Sequence, residues 1–176
     1  MAELVIVTGP PGAGKSAVAS RLVELRSPSV LIEGDEFFRF LREGRIDPWL
    51  VESAVQNEIV TESAGAATGR FVTGGYWTVY DGVVGPWFLR RFIAASGLRR
   101  VQYIVLLPPV ATCVDRVATR RDHGFTDEAA TRHMHQQFDR AVLASRHIIR
   151  DPDADADSIV HWIIDLVRSG DVAFEP

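Results

Sequence analysis

The chain has 176 residues and a net charge of −4, with 47% hydrophobic and 24% charged residues, values ordinary for one soluble globular domain with a full core. The acidic balance argues against a general nucleic-acid binder, which usually carries a basic face, and no apolar run approaches the length of a membrane span. A single cysteine, Cys113, excludes an internal disulfide and suits a reducing compartment; with the first strand opening almost directly after Met1 and no signal-peptide pattern, a cytoplasmic location is expected.

The first element is Leu4-Val5-Ile6-Val7-Thr8, a continuous apolar run that predicts a strand buried on both faces. Gly9-Pro10-Pro11-Gly12-Ala13-Gly14-Lys15-Ser16 follows and fits the phosphate-binding pattern G-x-x-x-x-G-K-S/T at every fixed position. Ala17, Val18, Leu22 and Leu25 then recur at helical spacing. Strand, loop and helix in this order are the context the pattern requires. The glycines let backbone N–H groups approach phosphate oxygens, and a helix opening at Gly14 adds the positive end of its dipole. Lys15 places a cation at the β- and γ-phosphates, and the Ser16 hydroxyl offers one ligand to Mg²⁺, which keeps most of its other ligands as water and phosphate.

Ser27-Pro28-Ser29 makes a turn, and Val30-Leu31-Ile32 predicts a second buried strand ending at Glu33-Gly34-Asp35. Parallel α/β sheets bind ligands beyond the carboxyl ends of their strands, so Asp35 is expected beside the phosphates, as a base or metal partner. It is also a favoured helix N-cap type. The stretch from about 36 to 70 reads as a helical insertion and the natural acceptor pocket. Phe37, Phe38, Phe40 and Leu41 open it, and Phe38 is the aromatic expected to line the pocket. A helix is expected from Asp47-Pro48, with Trp49, Leu50, Ala54, Val55, Ile59 and Val60 mostly in the core.

Trp77-Thr78-Val79-Tyr80 predicts a third strand closing on Asp81-Gly82. An acid there resembles the second nucleotide-binding motif, whose Asp helps hold Mg²⁺ or its water; a turn-forming Asp-Gly has the same composition. Tyr80 and Asp81 are thus candidates for the acceptor side, with Asp81 also a candidate metal partner. A helix from Trp87 to Ile93 and a fourth strand, Val101 to Leu107, lead to Pro108-Pro109. The next helix buries Cys113, read as a small core residue, and carries Arg116 and Arg120 four apart on one face. Arg121-Asp122-His123-Gly124 breaks it, and Thr126-Asp127-Glu128 starts another, so that residues from about 116 to 132 read as helix, basic break, helix. Solvated arginines are the competing reading. His133 and His135 are too close in sequence to share a helix face as metal ligands. His147-Ile148-Ile149 predicts a short fifth strand. Asp151, Asp153, Asp155 and Asp157 lack the Gly and Glu of a calcium loop and favour the start of the last helix.

This order of parts resembles the small P-loop kinases, nearest to chloramphenicol phosphotransferase, gluconate kinase and shikimate kinase, with zeta-type toxin kinases more distant. The resemblance covers nearly the whole chain, and the phosphate loop is its specific part. It implies an α/β three-layer P-loop NTPase fold with a five-stranded parallel sheet of order 2-3-1-4-5 and a helical lid at about 116–132. It implies that Gly9, Pro10, Pro11, Gly12, Ala13, Gly14, Lys15, Ser16 and the adjoining Ala17 bind the triphosphate and Mg²⁺. Asp35 would face the acceptor hydroxyl, and Arg116 and Arg120 would be lid arginines meeting the nucleotide and the transferring phosphoryl group. The chain departs from shikimate kinase in having Asp81-Gly82-Val83-Val84-Gly85 where that enzyme has a three-glycine segment, a stretch more like chloramphenicol phosphotransferase. The expectation is one domain over 1–176, an ATP- and Mg²⁺-dependent kinase acting on a hydroxyl of a small molecule, with Lys15, Asp35 and Arg120 catalytic and no nucleic-acid or membrane partner. A nucleotide or nucleoside kinase and a slowly hydrolysing nucleotide switch are the rivals.

Overall fold

A computed structural model describes residues 3–119, 126–151 and 154–175. Arg120, the basic break at 121–124 and Asp153 lie outside the described residues. The chain runs β1 (Leu4–Thr8), α1 (Lys15–Glu24), β2 (Ser29–Glu33), α2 (Gly34–Arg39), α3 (Ala54–Thr73), β3 (Trp77–Asp81), α4 (Pro86–Ser96), β4 (Val101–Leu106), α5 (Val110–Thr119), α6 (Glu128–Arg140), β5 (Ile148–Ile149), α7 (Ala156–Ser169) and β6 (Ala173–Phe174). Strands β1 to β5 form a parallel sheet in the order β2-β3-β1-β4-β5, as the resemblance implies. The two-residue β6 has no counterpart in the sequence reading. It pairs antiparallel with the start of β4 through Val101 and Phe174, on the edge whose far end pairs with β5 through Val105 and Ile148.

The continuous apolar strands are explained by what covers them. Side chains alternate along a strand, so Val5 and Val7 join one core and Leu4 and Ile6 the other. The first core is closed by Val18 and Leu22 of α1 and Ile159 and Ile163 of α7. The second is closed by Ala64 and Val72 of α3 and Leu89, Phe92 and Ile93 of α4. Helix ends obey local chemistry: Asp127 and Asp155 cap α6 and α7 by accepting from the Ala130 and Ser158 N–H groups, and Pro86 opens α4.

Helix α3 departs from expectation. It starts at Ala54, behind a single 3₁₀ turn at Val51–Ser53, and Pro48 lies in the preceding loop. Leu50, Val55 and Ile59 are exposed, Val55 by 68%, and of the six apolar residues expected to lie mostly in the core only Val60 is buried. The buried stripe is Asn57, Val60, Thr61, Ala64, Gly65, Thr68, Gly69 and Val72. The reason is the close approach of α4: a Cβ on Gly69 would stand 1.9 Å from the carbonyl oxygen of Ser96. Small residues must face α4, which leaves larger apolar ones outside. The loop before α3 is tied down by Gln56, whose side chain bonds both the N–H and the carbonyl of Ile46 at 2.8 and 2.7 Å.

His147 secures the β5 edge. The Tyr103 carbonyl accepts from its Nδ1 at 2.9 Å, which fixes the neutral tautomer with the proton on that nitrogen. Burial holds its pKa below the ordinary 6.5, outweighing the opposing effect of that hydrogen bond. The folded chain therefore binds fewer protons here than the unfolded chain. Stability from this group is complete above about pH 6.5 and is lost as pH falls through the lower folded value. The urea midpoint should decline between pH 7.5 and 5.5, above the range of ordinary carboxylates, and His147→Gln should flatten that decline.

Candidate active site

The turn after β1 is shaped by backbone crowding. Gly12 adopts φ +78°, and a Cβ there would lie 2.2 Å from the Cys113 carbonyl oxygen; at Gly9 it would lie 2.1 Å from that of Leu106. No other residue type fits either place, so the loop is held against β4 and α5 while the chain turns into α1. That helix has no acidic residue in its first turn, which leaves its positive end available to an anion.

Lys15 is the first residue of α1, half-buried, with its Nζ donating to the Pro10 carbonyl at 3.1 Å. Ser16 and Ala17 are exposed beside it, and the Ser16 hydroxyl makes no hydrogen bond among the described residues. Arg116 reaches over the loop from α5. Its Nη1 lies 3.5 Å from the Gly12 carbonyl and 3.7 Å from where a Cβ on Gly14 would stand. Arg116 thus joins the loop, while its expected companion Arg120 lies outside the described residues. Cys113 is fully buried beneath them. Burial pushes its thiol pKa up against the pull of Lys15 and Arg116, so it stays protonated and is not a nucleophile.

The positions of the two candidate acids follow from strand register and the start of α2. Asp81 pairs with Val7 of β1 and with Glu33 of β2, which brings the ends of three strands to one level. Asp35 sits exposed in the first turn of α2. The N-cap of that helix is Glu33, without a side-chain cap bond, so Asp35 is not the cap. Phe38, three residues on and half-buried, shares its side of the short helix. Asp81 is only 8% exposed, and its carboxylate has no hydrogen bond or ion pair among the described residues. Tyr80 is buried behind the two acids, its hydroxyl packed on Gly34 and its ring edge-on to Phe92 at 4.8 Å. Burial, then the charges of Asp35 and Asp81, raise its pKa far above the ordinary phenol value, so it is a neutral wall of the site.

Two positioning residues were not singled out from sequence. Thr8 Oγ1 accepts from the Val84 N–H at 2.9 Å, and the Tyr103 hydroxyl donates to the Val84 carbonyl at 2.8 Å. Both are fully buried, and together they clamp the loop after Asp81 to β1 and β4. A Thr closing an otherwise aliphatic strand is the one signal that pointed there.

A family model described as an AAA domain matches residues 4–143. The chain belongs to this AAA domain family. In overall shape this AAA domain is similar to the tunicamycin resistance protein of Deinococcus radiodurans, with a TM-score of 0.70 at 15% identity over 95% of this chain and 96% of that one. It is also similar to a gluconokinase from Sinorhizobium meliloti 1021, with a TM-score of 0.64 at 16% identity over 97% and 94% of the two chains. The shikimate kinase of Acinetobacter baumannii gives 0.62 at 18% identity over 96% and 94%. The AAA domain here therefore has the fold of the small P-loop kinases. Curated proteins gave no sequence match. Among the described residues, no helix is long and apolar enough to cross a membrane, and no cluster of three or more His, Cys, Asp or Glu side chains could hold a metal ion.

The expectation that Arg116 meets the nucleotide can be tested apart from the fold. Arg116→Ala should raise the dissociation constant for a nucleoside triphosphate with little change in unfolding midpoint, because its contact is to the loop and not to the core. A charge-assisted hydrogen bond of about 1.5–3 kcal/mol predicts roughly a 10- to 150-fold weakening, read by calorimetric titration.

Proposed function

We propose that this protein is an ATP- and Mg²⁺-dependent phosphotransferase that acts on a hydroxyl group of a small molecule. One observation carries the reading: the loop bearing Lys15, with Arg116 across it, lies at the end of β1, and the neighbouring β2 and β3 bring Asp35 and Asp81 to the same edge. A loop with two cations serves the triphosphate, and two carboxylates serve an acceptor and a cation. The fold shared with gluconokinase and shikimate kinase supports the same reaction class.

In this reading the loop N–H groups and Lys15 hold the β- and γ-phosphates, and Arg116 holds the nucleotide from above. Asp35 orients the acceptor hydroxyl in line with the γ-phosphorus and takes its proton as the new O–P bond forms and ADP leaves. Positioning and charge neutralisation supply most of the rate, so the rigidity of the Val84 clamp matters. The donor set fits Mg²⁺: the Ser16 hydroxyl and the buried Asp81 carboxylate are hard oxygen ligands with no other bonds among the described residues. When bound, the ion neutralises charge on the phosphate oxygens.

The test is ADP release by the purified chain with ATP and Mg²⁺, measured against a panel of sugars, sugar acids, aromatic alcohols and nucleosides, with the phosphoester product identified by mass spectrometry. Acceleration by one class supports the reading. Acceleration by nucleosides alone moves the protein to the nucleoside kinases. No acceleration, with a protein partner bound only in the presence of ATP, overturns it in favour of a switch.

A further inference from the structure

At the end of the sheet opposite the phosphate loop, and independently of phosphoryl transfer, we infer a second binding site. It lies in the cleft that Gln102 lines, and its ligand is an α-amino acid with an aliphatic side chain. The cleft has a volume of about 390 Å³, within the range of small-molecule sites. Gln102 is the second residue of β4 and pairs with Val5 of β1, so the cleft lies where these strands begin. The phosphate loop follows Thr8, where β1 ends.

A buried amide carries the inference. Gln102 is 2% exposed, in a strand whose other residues are Val, Tyr, Ile, Val and Leu. Its Nε2 donates to Glu3 Oε1 at 2.5 Å. Only an N–H can meet a carboxylate, so this bond settles which way the amide is turned. The Oε1 is then a buried acceptor with no partner among the described residues. Native interiors rarely leave such an atom unanswered, and what it requires is a donor.

The surroundings select the donor. The Glu3 carboxylate stands beside the amide, and the last turn of α7 borders the cleft and presents the negative end of that helix. An ammonium group suits all three. The rim carries the opposite charge. Arg100 reaches from just before β4 to the end of α7, its Nη2 3.1 Å from where a Cβ on Gly170 would stand. Arg168, in the last turn of α7, lines the same cleft. Their carboxylate partners, Glu175 and Asp165, stand at 4.0 and 3.8 Å, and both arginines are more than half exposed. Such loose surface pairs are weak, and a bound carboxylate can displace them. Leu4, Val72 and Leu98 give the cleft an apolar wall. An ammonium, a carboxylate and an aliphatic group on one small molecule make an aliphatic α-amino acid.

The test is calorimetric titration of the full chain with L-leucine, 4-methylpentanoate and 3-methylbutylamine. The second lacks the amine of the first, and the third lacks its carboxylate. L-leucine is expected to bind more tightly than either by roughly 10- to 150-fold, the worth of one hydrogen bond to a charged group. Gln102→Leu puts an apolar side chain of similar volume among apolar neighbours, so it should keep the unfolding midpoint and weaken leucine by a comparable factor. Arg100→Ala, at an exposed position, should weaken leucine as much and erase its advantage over 3-methylbutylamine; this variant carries the test if Gln102→Leu fails to fold. Binding of either analogue as tight as that of leucine overturns the amino-acid assignment. Leucine binding that neither variant weakens belongs to another place on the molecule and overturns the site. No binding of any of the three at millimolar concentration overturns it as well, and leaves the Gln102 oxygen to water.

Discussion

Lys15→Ala loses turnover by a factor of roughly 10²–10³ and keeps its fold. The first half of that expectation follows from where Lys15 stands. It is the first residue of a helix with no acid in its opening turn, on a loop that Gly9 and Gly12 press against Leu106 and Cys113. A preplaced cation aimed at charge that develops during transfer is typically worth about 2.7–4 kcal/mol. The second half follows from the contact Lys15 makes: its Nζ donates to the Pro10 carbonyl from a half-buried position at the loop. Losing a charge-assisted bond of this kind costs about 1.5–3 kcal/mol, still within a normal stability margin. Steady-state ADP release with an established acceptor gives the first quantity and urea unfolding the second. Near-normal turnover in a folded variant sinks the phosphate-loop mechanism.

What was legible in the sequence tracks how local the cause is. Gly9 to Ser16 needs only neighbouring residues to be read, because strand, loop and helix follow one another along the chain. The strands were legible because Leu4 to Thr8 and Val101 to Leu107 are apolar on both faces, and only a sheet covered on both sides makes that pattern stable. The sheet order came from a resemblance, since nothing in the composition of a strand names its neighbour. Helix α3 was misread because its packing partner is α4, some thirty residues away; the close backbone approach at Gly69 and Ser96 inverts the usual rule that large apolar residues face inward. The Val84 clamp has only Thr8, at the end of an aliphatic strand, to mark it in sequence, for the same reason: Thr8 and Tyr103 act on a loop that neither adjoins in sequence. β6 is two residues long and makes its pairing only because β5 leaves the first part of that edge of β4 open. Asp35 was legible as an acid at a strand end, whereas its exclusion as a cap required the backbone, which places Glu33 at that position.

Asp35→Asn separates a catalytic carboxylate from a structural one. In the proposed reaction the acceptor hydroxyl must lie in line with the γ-phosphorus and give up its proton, and the group that takes it must sit at the carboxyl end of the sheet, open to the acceptor. Asp35 is exposed in the first turn of α2, and Asp81, across Tyr80 from it, is 8% exposed. The open carboxylate is the one an acceptor can reach, and the buried one suits a cation. Asn keeps the shape and a hydrogen-bonding oxygen but cannot take the proton. The expected loss in kcat is roughly 10²–10⁴, the usual range for a general base, with the ATP dissociation constant unchanged. The structural cost is small by comparison. Asp35 is not the cap, so what Asn forfeits is one favourable charge at a helix start, about 0.3–1 kcal/mol. Urea unfolding should therefore shift little while turnover collapses. A stable Asp35→Asn chain with full phosphoryl transfer removes Asp35 from the mechanism. Asp81→Asn then decides the assignment: a loss of kcat there at saturating Mg²⁺ makes Asp81 the acceptor base, whereas a raised Mg²⁺ requirement alone keeps it as the partner of the ion beside Ser16.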